Sequence, residues 1–305
     1  LIIPTTAGPE SSLTVRLEPT LAAAMTESLS YLEHFPHSCT EQLISRFLPN
    51  VVTYQALQSL GVEDPELAEN LERVVPEMLE QLYNRQRSDG AWGWWYRGSN
   101  PDFQTSAYAV LGLLKAQEAG FEVDPLRLNR GLNYLHGVLS REMRLQTQRY
   151  MTQAFALYVL AEAEYEWPEG VDAALYEARE QLDATGRAYL TLALGLRDPK
   201  DPRLDTLLAS LRTEAEITAT GAHWQSSDAA YWITWTRATS VVLDALSRFA
   251  PDDPLLPQAA RWLMVARQAN RWETTQETAW AVMALTDYMV ATGELTADYT
   301  WGLGL

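Results

Sequence analysis

The sequence predicts an all-α chain folded as a closed ring of about six helical hairpins, an α6/α6 toroid. Three observations carry that expectation. Apolar residues recur at the i, i+3, i+4, i+7 spacing from about Pro19 to the end of the 305 residues. Turn signals divide this periodicity into roughly twelve segments of ordinary helix length. A weak internal repeat then marks alternate segments at the spacing of one helical hairpin.

The chain opens with a stretch, residues 11–18, that alternates like a strand and is the only one to do so. Residues 1–18 are therefore expected to be an extended segment from a neighbouring domain, and residues 19–305 the toroid. The helical segments are separated by Gly61 and Pro65, residues 88–93, Gly120 and Pro125, and Pro168 and Gly170. Further breaks fall at Gly186, at Pro199 and Pro202, at Gly221, and at Pro251 and Pro254.

The repeat pairs small residues with large ones. Ser106-Ala107-Tyr108-Ala109-Val110 returns as Gln153-Ala154-Phe155-Ala156-Leu157 and as Thr278-Ala279-Trp280-Ala281-Val282. Fainter copies lie at Ala188-Tyr189 and Thr239-Ser240. Small residues alternating with large ones suit helices packed on both sides, as on the inside of a ring. An open solenoid would need polar capping repeats at its ends, and none is evident.

Composition narrows the function. A net charge of −17 argues against nucleic-acid binding, which needs a basic surface. No apolar run approaches membrane-spanning length, so direct membrane insertion is not expected. The single cysteine removes any intrachain disulfide framework and any multi-cysteine metal site. The first residues lack the basic start and apolar core of a signal peptide, and the absence of an initiator Met suggests a piece of a longer chain.

The chemistry lies in Phe35-Pro36-His37-Ser38-Cys39-Thr40-Glu41-Gln42. A cysteine sulfur is a strong nucleophile as thiolate and a good leaving group from an acyl carbon. A glutamine three residues on can bring its carboxamide back to that sulfur at a tight helix start. Attack with loss of ammonia then leaves a thiolactone, which persists only when shielded from water. Pro36 and Ser38 favour a turn, with Ser38 placed to cap a helix opening at Thr40. The plain alternative is a small buried core cysteine.

The stretch Pro36-His37-Ser38-Cys39-Thr40-Glu41-Gln42, continuing to Pro49-Asn50, resembles the thioester segment of the alpha-2-macroglobulin and complement family. That family's pattern is Pro-Tyr-Gly-Cys-x-Glu-Gln followed by an apolar helix with a Pro-Asn step. His37 stands for its Tyr and Ser38 for its Gly. Gln104-Thr105-Ser106-Ala107-Tyr108, His223-Trp224 and Trp272-Glu273-Thr274-Thr275-Gln276-Glu277-Thr278 are similar to later family segments, so the resemblance runs from about residue 21 to residue 293.

The resemblance implies a toroid in which Cys39 and Gln42 form an internal thioester. A protease cuts a bait region elsewhere in the parent chain, and the thioester then acylates a lysine of that protease. Target proteases and other amine-bearing proteins are the implied partners, together with the other domains of the parent chain. A periplasmic or cell-surface location in a bacterium is implied as well. Capture of this kind is single-turnover and needs no metal or organic cofactor.

Complement-like members carry a histidine about a hundred residues downstream that redirects the acyl group to hydroxyls. The corresponding segment here, residues 140–149, has none, and His136 reads as part of the preceding helix. Direct attack by amines is therefore expected. His37 either shields the acyl group as an amphipathic ring or assists it as a base, and shielding is the preferred reading. Glu41 is expected to fix the helix start through backbone and dipole.

Two other readings fit parts of the sequence. Gln86-Arg87-Ser88-Asp89-Gly90-Ala91-Trp92 matches the Gln-x-x-x-Gly-x-Trp motif of triterpene cyclases, which are also α-toroids. Their Asp-x-Asp-Asp acid has only Asp252-Asp253 as a counterpart, and a prenyltransferase zinc site would need the one cysteine. A helical-repeat scaffold without covalent chemistry accounts for the repeats but leaves the Cys39–Gln42 spacing unexplained.

Overall fold

The computed structural model describes residues 32, 39–59, 61, 64–95, 100–144, 149–226, 234–268 and 271–293. The strand-like stretch 11–18, and with it the boundary at residue 18, lies outside the described residues. Among those described there are eleven α-helices. In chain order they are α1 (Thr40–Ser59), α2 (Pro65–Arg85), α3 (Phe103–Glu118), α4 (Pro125–Arg144), α5 (Tyr150–Glu162) and α6 (Val171–Glu177). After a 3-10 turn at Arg179–Gln181 come α7 (Ala184–Arg197), α8 (Arg203–Thr213), α9 (Trp235–Phe249), α10 (Leu256–Ala266) and α11 (Thr275–Thr292). Leu32 is also helical and fully buried.

The odd-numbered helices form an inner ring. Each packs on both neighbours in the series α1, α3, α5, α7, α9, α11, and α11 packs back on α1 to close it. The even-numbered helices lie outside, each against the inner helix that precedes it in the chain. The repeat identifies the inner helices: its three clear copies fall on α3, α5 and α11, and its two faint ones on α7 and α9. Burial explains the pattern. Every residue of α5 from Met151 to Leu160 is buried, as suits a helix apolar on all sides and flanked by others. Close approach needs small residues, and Gly112 of α3 shows why: a Cβ there would stand 3.0 Å from the Ile44 side chain of α1.

A buried tryptophan ties the hairpins together three times. The indole N–H groups of Trp92, Trp224 and Trp272 donate to the carbonyls of Leu82, Leu211 and Leu263, near the ends of α2, α8 and α10. Their backbone N–H groups donate to Ser106, Thr239 and Thr278 on the following inner helices. In three of the five repeat copies the hydroxyl at the head is thus a socket for a tryptophan of the preceding loop.

Two local expectations change. Gly186 does not break a helix; it lies in the first turn of α7, where the Asp183 carboxylate accepts its N–H and the cost of a glycine is small. No strand is expected beyond residue 18, yet β1 (Glu216–Thr218) and β2 (Gly221–His223) pair as an antiparallel hairpin. Three residues a side are too few for alternation to register.

The outer–inner alternation sends all six inner helices the same way, so their N-termini share one end of the ring. Side chains confirm it: Arg237 in the first turn of α9 donates to Gln276 in the first turn of α11 at 2.8 Å. The opposite end holds a cavity of about 260 Å³ lined by Leu111, Lys115, Tyr158, Asp244, Trp280 and Asp287. Among the described residues, no helix is long and apolar enough to cross a membrane.

Candidate functional site

The helix start at Thr40 makes Cys39 the N-cap of α1 and Gln42 its third residue. The Cys39 carbonyl accepts from Leu43 N–H, the first bond of the helix. The Cys39 backbone N–H donates to Oε1 of Gln42 at 3.1 Å, and the Gln42 backbone N–H donates to the Cys39 Sγ at 3.4 Å. This reciprocal exchange is a capping box in which sulfur replaces the usual hydroxyl. Its consequence is chemical as well as structural, because it folds the Gln42 carboxamide back toward the cysteine. The capping role expected of Ser38 is thus filled by Cys39; Ser38 and His37 lie outside the described residues.

The glycine–tryptophan loop fastens the next residue. Thr40 N–H donates to the Trp94 carbonyl at 2.8 Å, and its hydroxyl donates to the Gly93 carbonyl at 2.8 Å. The loop is itself locked. Gly90 has φ +88°, and a Cβ there would collide with the Arg130 carbonyl. The Gln86 side chain donates to the carbonyls of Gly90 at 3.2 Å and Arg127 at 2.9 Å. The residues of the Gln-x-x-x-Gly-x-Trp motif are accordingly occupied in bracing the loop over α1.

Cys39 is 2% exposed. Burial pushes its thiol up to about 11, the Gln42 backbone bond opposes this, and the nearby Glu41 charge adds to it. Glu41 behaves differently from the sequence expectation. Its hydrogen bonds run to side chains rather than to the free amides of the helix start, because the cap is already made by Cys39 and Gln42. Oε1 accepts from Ser45 at 2.6 Å, and Oε2 accepts from Thr275 of α11 at 3.3 Å and faces the Cys39 sulfur at 3.9 Å. Ser45 also meets the Tyr108 hydroxyl of α3 at 3.0 Å. Burial raises the Glu41 carboxyl, opposed by Ser45, Thr275 and, through space, Arg237.

Ser45, Tyr108 and Thr275 are not among the site residues expected from the sequence. Ser45 was findable, since it lies four residues after Glu41 on the same helix face. Tyr108 and Thr275 come from α3 and α11, and only ring closure brings them to α1.

The remaining candidates sit elsewhere. His136 lies within α4, edge-on to Tyr165 at 6.5 Å between centroids. Residues 145–148 lie outside the described residues. His223 is on β2, stacked on Trp262 at 4.8 Å and facing Glu216 at 3.5 Å. Asp253 pairs with Arg212 at 2.5 Å and accepts the Leu255 N–H at 2.9 Å, so the aspartate pair forms a turn between α9 and α10.

Comparison with known proteins gives a family match, sequence relatives and a shared fold. The model of the A-macroglobulin TED domain matches residues 13–153. An alpha-2-macroglobulin of Thermotoga maritima is 26% identical over 275 residues, which are 90% of this chain and 15% of that protein. The Escherichia coli K12 alpha-2-macroglobulin is 27% identical over 263 residues, 81% of this chain and 15% of that protein. The chain thus spans about a seventh of these relatives' length. Among solved structures, a Salmonella alpha-2-macroglobulin reacted with methylamine superposes with TM-score 0.70 at 22% identity, covering 87% of this chain and 17% of that one. The native Escherichia coli protein gives 0.67 at 21% identity, covering 87% and 17%; both share the fold. The family match, the relatives and the common ring architecture make this chain similar to the alpha-2-macroglobulins, with the fold of their TED domain.

Proposed function

We propose that Cys39 and Gln42 form an internal thioester through which the parent protein covalently captures attacking proteases. The observation that carries this reading is the capping box, which holds the two reacting side chains together before any bond forms. In closure, the Cys39 sulfur attacks the Gln42 carboxamide carbon and ammonia leaves. In capture, a target amine attacks the same carbon, the C–S bond breaks, and Gln42 ends as an amide to the target. Each thioester reacts once, so the domain is an acyl donor rather than a turning-over enzyme.

The names of two solved relatives support the reading: one was reacted with methylamine, and the Escherichia coli protein was activated by porcine elastase. Lysine amines of proteases are the proposed targets, with other domains of the parent chain supplying the bait and the shielding. Residues 1–18 belong to a neighbouring domain in this proposal, and residues 19–305 to the toroid. His37 shields the acyl group. The parent protein works in the periplasm or at the cell surface.

The proposal is tested by offering the intact protein methylamine and glycerol in parallel. Methylamine is expected at Gln42 with a new thiol at Cys39, and glycerol is expected to react more slowly. Equal or faster labelling by glycerol would overturn the amine preference.

A further inference from the structure

We propose that Glu41 is the proton carrier of the acyl exchange at Cys39, held to that task by Ser45 and Thr275. This rests on the Cys39–Gln42 reading and adds a third reacting group to it.

The geometry separates Glu41 from an ordinary structural carboxylate. It is 6% exposed, yet among the described residues no cation pairs with it; its bonds there are from the Ser45 and Thr275 hydroxyls and the Cys39 thiol. Burying a carboxylate without an ion pair is costly, and such groups concentrate where a proton has to move. Neither hydroxyl leaves the carboxylate free to rotate. Ser45 grips Oε1 from within α1 and is itself backed by Tyr108, while Thr275 reaches across from α11. Oε2, the oxygen that takes the Thr275 bond at 3.3 Å, is the one facing the sulfur at 3.9 Å. Capping does not need Glu41, since Cys39 and Gln42 satisfy each other.

The chemistry needs such a carrier. A sulfur whose thiol is pushed up to about 11 is a poor leaving group as a bare thiolate and must receive a proton as it departs. An attacking amine, conversely, carries one proton too many once its nitrogen has bonded to the Gln42 carbon. The Glu41 carboxylate takes the proton from that nitrogen and delivers it to Sγ as the C–S bond breaks. The products are the Gln42 amide, the Cys39 thiol and the same carboxylate. Ring closure runs in reverse: the thiol proton passes through Glu41 to the departing ammonia.

The test measures methylamine uptake at Gln42 and thiol release at Cys39 from about pH 5 to pH 9, corrected for the unprotonated fraction of the amine. The wild type is compared with Glu41→Gln and Thr275→Val, with folding checked by thermal melting. Glu41→Gln is expected to slow uptake by about 10²-fold and to lose the fall in rate at acidic pH. A folded Glu41→Gln that never closes the ring, beside a Thr275→Val that does, supports the same role. Thr275→Val keeps the acid and is expected to retain most of the rate while its acidic fall moves to higher pH. If Glu41→Gln does not fold, that shift decides, and an unshifted Thr275→Val profile overturns the proposal. A folded Glu41→Gln with the wild-type rate and profile overturns it, as does an equal loss at every pH in both variants. If wild type that mass spectrometry shows with an untouched Gln42 carboxamide takes up no methylamine, the Cys39–Gln42 reading fails and this proposal with it; uptake by the wild type with an unaltered Glu41→Gln removes only Glu41.

Discussion

Cys39 and Gln42 satisfy each other's backbone N–H at the first turn of α1, at 3.1 Å to the Gln42 side-chain oxygen and 3.4 Å to the Cys39 sulfur. The pair therefore has a structural role before it has a chemical one, and substitutions separate the two. Cys39→Ser keeps both cap bonds, so its melting temperature is expected to stay near the wild type while methylamine uptake is abolished. Gln42→Ala removes the returning carbonyl and is expected to cost about 1 kcal/mol of stability, measured by urea unfolding. Uptake by Cys39→Ser would disprove the sulfur's role.

Ionisation of Cys39 gives a second expectation. In methylamine-treated protein the freed thiol is expected to ionise at about 11, because burial disfavours the charge. An unfolded cysteine ionises near about 8.5. A raised acid contributes its stability fully below the unfolded value and loses it as pH climbs through the folded one. Alkylation by iodoacetamide should thus be slow at pH 8 and accelerate toward pH 11, with stability falling over the same window. Alkylation at pH 8 as fast as in the urea-unfolded protein would show that the thiol is not buried.

At the other end of the ring the charges pull in opposite directions. Glu162 lies 2.8 Å from both Lys115 and Arg248, and these cations overcome its burial and hold its carboxyl at about 2. Its stabilisation is present above the ordinary carboxylate range and is lost as pH falls toward 2. Asp287 is raised to about 7 by burial and by Asp244, so the stability tied to its neutral form is lost as pH rises through 7. Glu162→Gln removes one partner from each cation, while Lys115 keeps Glu118 and Arg248 keeps Asp244, and should cost about 1.5–3 kcal/mol at neutral pH. Asp287→Asn should instead flatten the decline in melting temperature between pH 5 and 8. A scan of melting temperature against pH for the three proteins decides both points.

The tryptophan sockets predict stability effects far from Cys39. Trp272→Phe leaves the Leu263 carbonyl without the indole donor now at 2.9 Å. A buried acceptor left unpaired costs about 1–3 kcal/mol, to which the lost ring volume adds. Urea unfolding of Trp272→Phe and Trp224→Phe should give similar losses, since the Trp224 indole bonds Leu211 in the same way at 2.7 Å.

What the sequence made legible follows from how local each feature is. The inner helices were readable because being buried on both sides forces small residues to alternate with large ones, as in α3, α5 and α11. The Cys39–Gln42 relation was readable because a cap acts over three residues. The surroundings of Glu41 were not, because Thr275 is 234 positions away and reaches it only once α11 closes on α1. Nor did anything in the spacing show that the capping residue would be the cysteine itself. Replacing Ser or Thr by Cys in the Ser/Thr-x-x-Glu/Gln signature was the missing signal. The short hairpin of β1 and β2 escaped for a simpler reason, having too few residues to show a period.

The central claim is tested most directly by intact-mass and peptide mass spectrometry of the natively purified protein, before and after methylamine. A mass lower by one ammonia and a link between Cys39 and Gln42 are expected before treatment, and a methylamide at Gln42 with a free Cys39 thiol after it. Where water has already opened the bond, glutamate is expected at position 42. An untouched Gln42 carboxamide beside a free Cys39 thiol, unchanged by methylamine, would contradict the claim.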